Sequence, residues 1–136
     1  MSKPATETLS VVIEREIPYP PEKIWRALTQ PHLIEEWLMK NDFEPVVGHR
    51  FELRADWGVV GCQVLAVEPN QTLSYAWDAY GLESVVTCTL TPTRTGTHLR
   101  MEQSGFRPEQ QKYYEGAKGG WQQFLAALEQ VLTRTD

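Results

Sequence analysis

Cysteine is scarce in this chain. Cys62 and Cys88 are the only two in 136 residues, they stand 26 positions apart, and neither belongs to a Cys-x-x-Cys pair. That spacing argues against a disulfide scaffold or a thiolate metal knuckle. Two free, buried thiols acting as small apolar side chains are expected instead. Histidine is equally sparse. His32, His49 and His98 include no i, i+4 pair and none neighbours a cysteine, so no metal site is expected. The sequence has no Gly-x-Ser-x-Gly elbow, no phosphate loop and no dinucleotide fingerprint. No uncharged apolar run approaches the roughly 18–20 residues of a membrane span. Residues 1–7 have no apolar stretch of the kind a secretion leader carries, so a cytoplasmic location is expected. Without such a leader Asn70-Gln71-Thr72 reads as a turn, not a glycosylation site. Positive charge is in deficit, with 13 Lys and Arg against 18 Asp and Glu, a net charge of −5. Phosphate neutralisation needs a basic face, so neither nucleic acid nor an anionic membrane surface is an expected partner.

What is present describes an ordinary globule. Apolar residues make up 41% of the chain and charged ones 23%, enough of each for one buried core and one solvated surface. The length implies one domain over 1–136, with its core in about 9–132. No repeat, linker or low-complexity segment divides it.

Leu9, Val11, Ile13 and Ile17 fall on one parity, which predicts a half-buried strand over 9–17. Pro18, Pro20 and Pro21 end it and start a helix, with Glu22 in the first turn and Ile24, Trp25 and Leu28 as its apolar patch. Pro31 restarts a second short helix with Leu33, Ile34, Trp37 and Leu38 on one face. From Phe43 to Ser104 the period is two, broken by turn signals. Phe51, Leu53, Ala55 and Trp57 are expected inward on one strand. Residues 59–67 are apolar on both parities, which leaves their register open. Leu73, Tyr75 and Trp77, then Val86, Cys88 and Leu90, then Leu99, Met101 and Gln103 define three further inward faces. A helix from about Pro108 to Leu132 carries Tyr114, Ala117, Trp121, Phe124, Leu125 and Leu128 at helical spacing. Gly116, Gly119 and Gly120 interrupt it, and either a kink or a close backbone approach would explain them. Short connections predict an antiparallel sheet in an α+β domain, the long C-terminal helix lying over the concave face of about six or seven curved strands.

The segment Ile17–Thr29 (IPYPPEKIWRALT) followed by Glu36-Trp37-Leu38 resembles the opening of the SRPBCC, or START and birch-pollen-allergen-like, superfamily. More narrowly it resembles homologues of the activator of heat-shock-protein-90 ATPase. Gly48-His49-Arg50-Phe51, Val67–Leu73 with Tyr75 and Trp77, Gly96-Thr97-His98-Leu99, Gln103-Ser104-Gly105-Phe106, and Gly120-Trp121 with Leu125 and Leu128 follow in the family's order. The resemblance implies a helix-grip fold with an interior cavity that takes lipophilic molecules. At the place where a histidine often precedes Ser-Gly-Phe, this chain has Gln103.

The expected site is a mostly apolar pocket between the sheet and the C-terminal helix. Its expected lining is Trp37, Phe51, Tyr75, Trp77, Val86, Cys88, Met101, Ala117 and Trp121, with Gln103 as the inward polar group. Acidic residues fall mainly on outward parities, and no nucleophile sits beside a base. The expected function is therefore non-enzymatic binding of a small, flat lipophilic or aromatic molecule, with no cofactor and no catalytic residue. Two alternatives are a protein-interaction module serving a chaperone in stress response, and a cyclase- or lyase-like enzyme.

Overall fold

The computed structural model describes residues 8–135; the residues 1–7 read above for a leader lie outside that range. The chain begins with strand β1 (Leu9–Ile17), followed by helices α1 (Pro21–Thr29) and α2 (Pro31–Trp37). Six further strands come next: β2 (Lys40–Asn41), β3 (Arg50–Ala55), β4 (Gly58–Glu68), β5 (Thr72–Ala79), β6 (Leu82–Pro92) and β7 (Thr97–Phe106). A 3-10 turn at Pro108–Gln110 leads into helix α3 (Gln111–Arg134). The strands form one antiparallel sheet in the order β1-β7-β6-β5-β4-β3-β2. This is the helix-grip α+β arrangement, with α3 on the apolar face of the sheet.

Proline sets both short helices. Gln30, extended at φ −95° and ψ 120°, closes α1 by donating its N–H to the Arg26 carbonyl. Its own carbonyl then accepts from Leu33 and Ile34 and opens α2. The residue before a proline is held out of the helical region, so Gln30-Pro31 turns the chain within one residue. The Trp37 indole N–H donates to the Ala27 carbonyl at 2.8 Å and ties α2 back to α1.

The β6–β7 hairpin explains one glycine. A Cβ on Gly96 would come within 2.1 Å of the Ile17 carbonyl oxygen, so only glycine lets this hairpin pass the end of β1. Thr97, buried beside it, donates its hydroxyl to the Tyr19 carbonyl at 2.7 Å.

Three local expectations change. Trp57 does not continue the inward face of β3. Ala55 already pairs with Gly58, so Asp56 and Trp57 form the turn, and Trp57 is 56% exposed. The open register of residues 59–67 resolves with Val60, Cys62 and Val64 inward. A bulge between Val64 and Ala66 then lets the strand change parity, which alternation alone cannot reveal. Finally, α3 runs unbroken through Gly116, Gly119 and Gly120, and a Cβ at any of the three would meet nothing within 4 Å. These glycines neither kink the helix nor admit a close neighbour; they leave space.

Candidate functional site: a cavity beneath the C-terminal helix

The space at Gly116 and Gly120, though not that at Gly119, belongs to a cavity of about 400 Å³ between α3 and the β5–β6–β7 part of the sheet. From the helix, Gly116, Ala117 and Gly120 form its shallow centre, between Tyr113 at one end and Trp121 and Phe124 at the other. From the sheet come Trp77, Leu82 and Gln103, with Trp57 and Tyr80 contributed by two hairpin turns. The walls are predominantly apolar and aromatic. The Trp77 and Trp121 rings lie 5.5 Å apart at 51°, and Trp121 meets Phe124 edge-on at 5.3 Å.

The cavity floor is held by one hydrogen-bonded chain. Trp121 donates its indole N–H to Gln103 Oε1 at 2.7 Å. Gln103 Nε2 donates to Ser84 Oγ at 2.9 Å, and Ser84 donates to the Trp77 carbonyl at 2.7 Å. An indole N–H can only donate, which fixes the orientation of the amide. The chain crosses from α3 through β7 and β6 to β5. Gln103 and Ser84 are buried, and these bonds offset the cost of desolvating them.

The rim is aromatic and under strain. Tyr80 and Gly81 have φ of 51° and 84° and make a two-residue hairpin turn with both central residues left-handed. Asparagine or glycine suits that conformation; tyrosine there costs on the order of 1 kcal/mol. The turn sets Tyr80 against Trp57, with ring centroids 6.3 Å apart, and lets its hydroxyl donate to the Trp57 carbonyl at 2.9 Å. Tyr113 in turn donates to the Tyr80 carbonyl at 2.9 Å.

The expected lining residues divide into three groups. Trp77, Gln103, Ala117 and Trp121 stand on the wall of this cavity. Trp37, Phe51, Tyr75 and Cys88 surround a separate void of about 10 Å³. That is near the minimum for a single water, so it holds no organic ligand. Val86 and Met101 are fully buried in the packed core and line neither space, although they pair with Tyr75, Gln103 and Cys88, which do. Sequence reasoning missed Tyr80, Tyr113 and the rim position of Trp57. A glycine after Tyr80 marks a turn in the sequence, but which rings that turn brings together depends on the three-dimensional path of two hairpins.

A larger hollow of about 570 Å³ lies on the opposite, outward side of β3–β5. Its side chains include Asp42, Arg50, Glu52 and Asp78; like the cavity under α3 it is open to solvent, but it is a mostly polar depression. Of the two, the cavity under α3 has the apolar walls that supply affinity for organic molecules, whereas a polar depression competes with water.

Burial pushes both thiols up to about 12: Cys88 by desolvation alone, Cys62 by desolvation with the Asp78 and Asp42 charges adding to it. The Tyr75 hydroxyl is raised well above its usual value for the same first reason, then by the two thiols. All three stay neutral, and the thiols are poor nucleophiles at neutral pH. Both are free. Among the described residues no three His, Cys, Asp or Glu side chains gather as a metal would require, and no helix is long and apolar enough to cross a membrane.

The profile of the activator of Hsp90 ATPase homolog 1-like proteins matches residues 18–133. The chain belongs to that family. A crystal structure of a Mesorhizobium loti protein is 68% identical, with a TM-score of 0.91 over 94% of this chain and 99% of that one. A putative protein of the dynemicin biosynthetic locus is 25% identical, with a TM-score of 0.82 over 91% of this chain and 47% of its own length. The Aha1 dimer from Colwellia psychrerythraea shares the fold at 21% identity, with a TM-score of 0.83 over 91% of this chain and 96% of that one. No curated protein matches the sequence. In this chain the Gln103-Ser104-Gly105-Phe106 stretch closes β7, and Trp121 of the Gly120-Trp121 pair bonds to Gln103 from α3.

Proposed function

We propose that this family member is a non-enzymatic, cytoplasmic binding protein for a small lipophilic or aromatic molecule held under α3. The observation that carries this reading is the 400 Å³ cavity, whose helical wall is hollowed by Gly116, Ala117 and Gly120 and whose ends are tryptophan, phenylalanine and tyrosine rings. That volume lies at the small end of ligand sites, which suits a flat ring system better than a sterol. The strained Tyr80 supports it, since backbone strain maintained at a cavity mouth points to a role beyond stability.

The test is native mass spectrometry of protein taken directly from cells. The reading predicts an adduct of small organic mass on the wild type, lost in Ala117→Trp and in Gly120→Leu, each of which fills the hollow. Bare protein that also fails to take up 1-anilinonaphthalene would overturn it.

A second reading, a protein-contact surface of the chaperone-activator kind, draws on Trp57, Tyr80 and Tyr113, which are 56%, 62% and 42% exposed around one rim. It predicts that substitutions at these three rings weaken association with a chaperone while Ala117→Trp does not.

A further inference from the structure

Resting on the small-molecule reading, we infer that the ligand is an aromatic anion, with its rings under Gly116, Ala117 and Gly120 and its negative group at Lys112. Lys112 is the one charged residue on the cavity wall. It sits one turn before Gly116 on the helical stripe that lines the hollow, roughly 12–14 Å along the axis from Trp121. The nearest acids on its own segment are already engaged. Glu115 accepts from Gln111 at 2.8 Å and pairs with Lys118 at 3.8 Å. Glu109 pairs with Arg107 at 2.9 Å. Among the described residues the Lys112 ammonium is in no ion pair or side-chain hydrogen bond; the same holds for Lys40, Arg50 and Arg94, but of these four only Lys112 lines the cavity under α3.

The floor dictates where a charge can go. The Gln103 amide is committed to Trp121 and Ser84, so the deep end offers no cation to offset the burial of an anion. A charged group is therefore stable only at the exposed end, with Lys112. The aromatic rim formed by Trp57, Tyr80 and Tyr113 would otherwise suit a cation by its ring faces. Lys112 beside it opposes that and selects the other sign.

The experiment uses a matched pair of probes, 1-anilinonaphthalene and its 8-sulfonate, titrated into the full chain by fluorescence. The sulfonate should bind more tightly than the neutral parent, and its advantage should shrink with added salt. Lys112→Met should weaken the sulfonate about fivefold and leave the neutral probe unchanged. Lys112→Glu should weaken the sulfonate further. If both probes bind and Lys112→Met changes them equally or not at all, the anion assignment is wrong and the cavity reading stands. If neither probe binds the wild type, both are wrong.

Discussion

The indole N–H of Trp121 and the amide oxygen of Gln103 meet at 2.7 Å in the interior, both residues being 2% exposed. This bond fastens the middle of α3 to β7 at the cavity floor. Gln103→Leu keeps the volume but leaves the Trp121 N–H and the Ser84 hydroxyl each short of a partner. An unsatisfied buried donor costs about 1–3 kcal/mol. Urea unfolding should show a loss of that order for Gln103→Leu, and Trp121→Phe in the same background should cost less than it does in the wild type. Additive losses would mean the bond contributes nothing.

The α3 glycines separate stability from binding. Gly119 lies outside the cavity lining, and a Cβ there meets nothing within 4 Å. Gly119→Ala should raise stability by about 1 kcal/mol, the helix-propensity difference, and leave probe affinity unchanged. Gly120→Leu, whose side chain enters the cavity, should lower probe affinity at least tenfold with the helix intact. Thermal melts and probe titrations on the two variants check this.

Tyr80 carries the reverse trade. Tyr80→Asn keeps a residue suited to φ 51° and removes the ring. Its melting temperature should be equal to or above the wild type, since relief of strain offsets the lost bond to the Trp57 carbonyl. Probe affinity should fall. A destabilised variant with unchanged affinity would place Tyr80 among purely structural residues.

His98 supplies a pH dependence on the outer face of the sheet, where it bridges Glu16 and Glu14 across the β1–β7 pair. The hydrogen bonds to Glu16 and then Glu14 hold its pKa above the usual imidazole value. A folded-state pKa raised in this way stabilises the protein fully below the unfolded value of about 6.5, and the contribution fades as pH rises through the folded value. Urea midpoints should fall across that interval in the wild type and stay flat in His98→Gln. The imidazole resonances in Glu16→Gln should titrate at lower pH than in the wild type.

Much of the fold was legible from alternation and proline. The bounds of β1, the Pro21 and Pro31 helix starts, and the inward faces of β5, β6 and β7 follow from local pattern, because each element has one wet side and one dry one. The two-residue β2 was not legible, since it pairs with β3 without any periodicity of its own. Trp57 was misplaced because alternation continues smoothly through a turn whose position is fixed by the Ala55–Gly58 pairing. The expected site residues share parity, but parity does not say where along a strand the packing is dense. Tyr75 and Cys88 lie under α1 and α2, where the core closes, whereas Trp77 and Gln103 lie under the glycine-rich turns of α3, where it does not.

The thiols give a simple check on the packed half of the core. Both are buried, free and raised to about 12, so iodoacetamide should leave native protein unlabelled at pH 8 and add two groups after unfolding. Rapid labelling of native protein would mean that this half opens.

The five tryptophans allow the central claim to be tested in one measurement, because their indole N–H resonances report from different places. Trp77 and Trp121 line the cavity under α3, Trp57 stands at its rim, and Trp37 is bonded to the Ala27 carbonyl in the closed half. When 1-anilinonaphthalene is titrated into nitrogen-15-labelled protein, the Trp77, Trp121 and Trp57 signals should shift together to saturation while Trp37 holds still. Movement of Trp37 with Trp77 and Trp121 unchanged would contradict the account and put the ligand elsewhere.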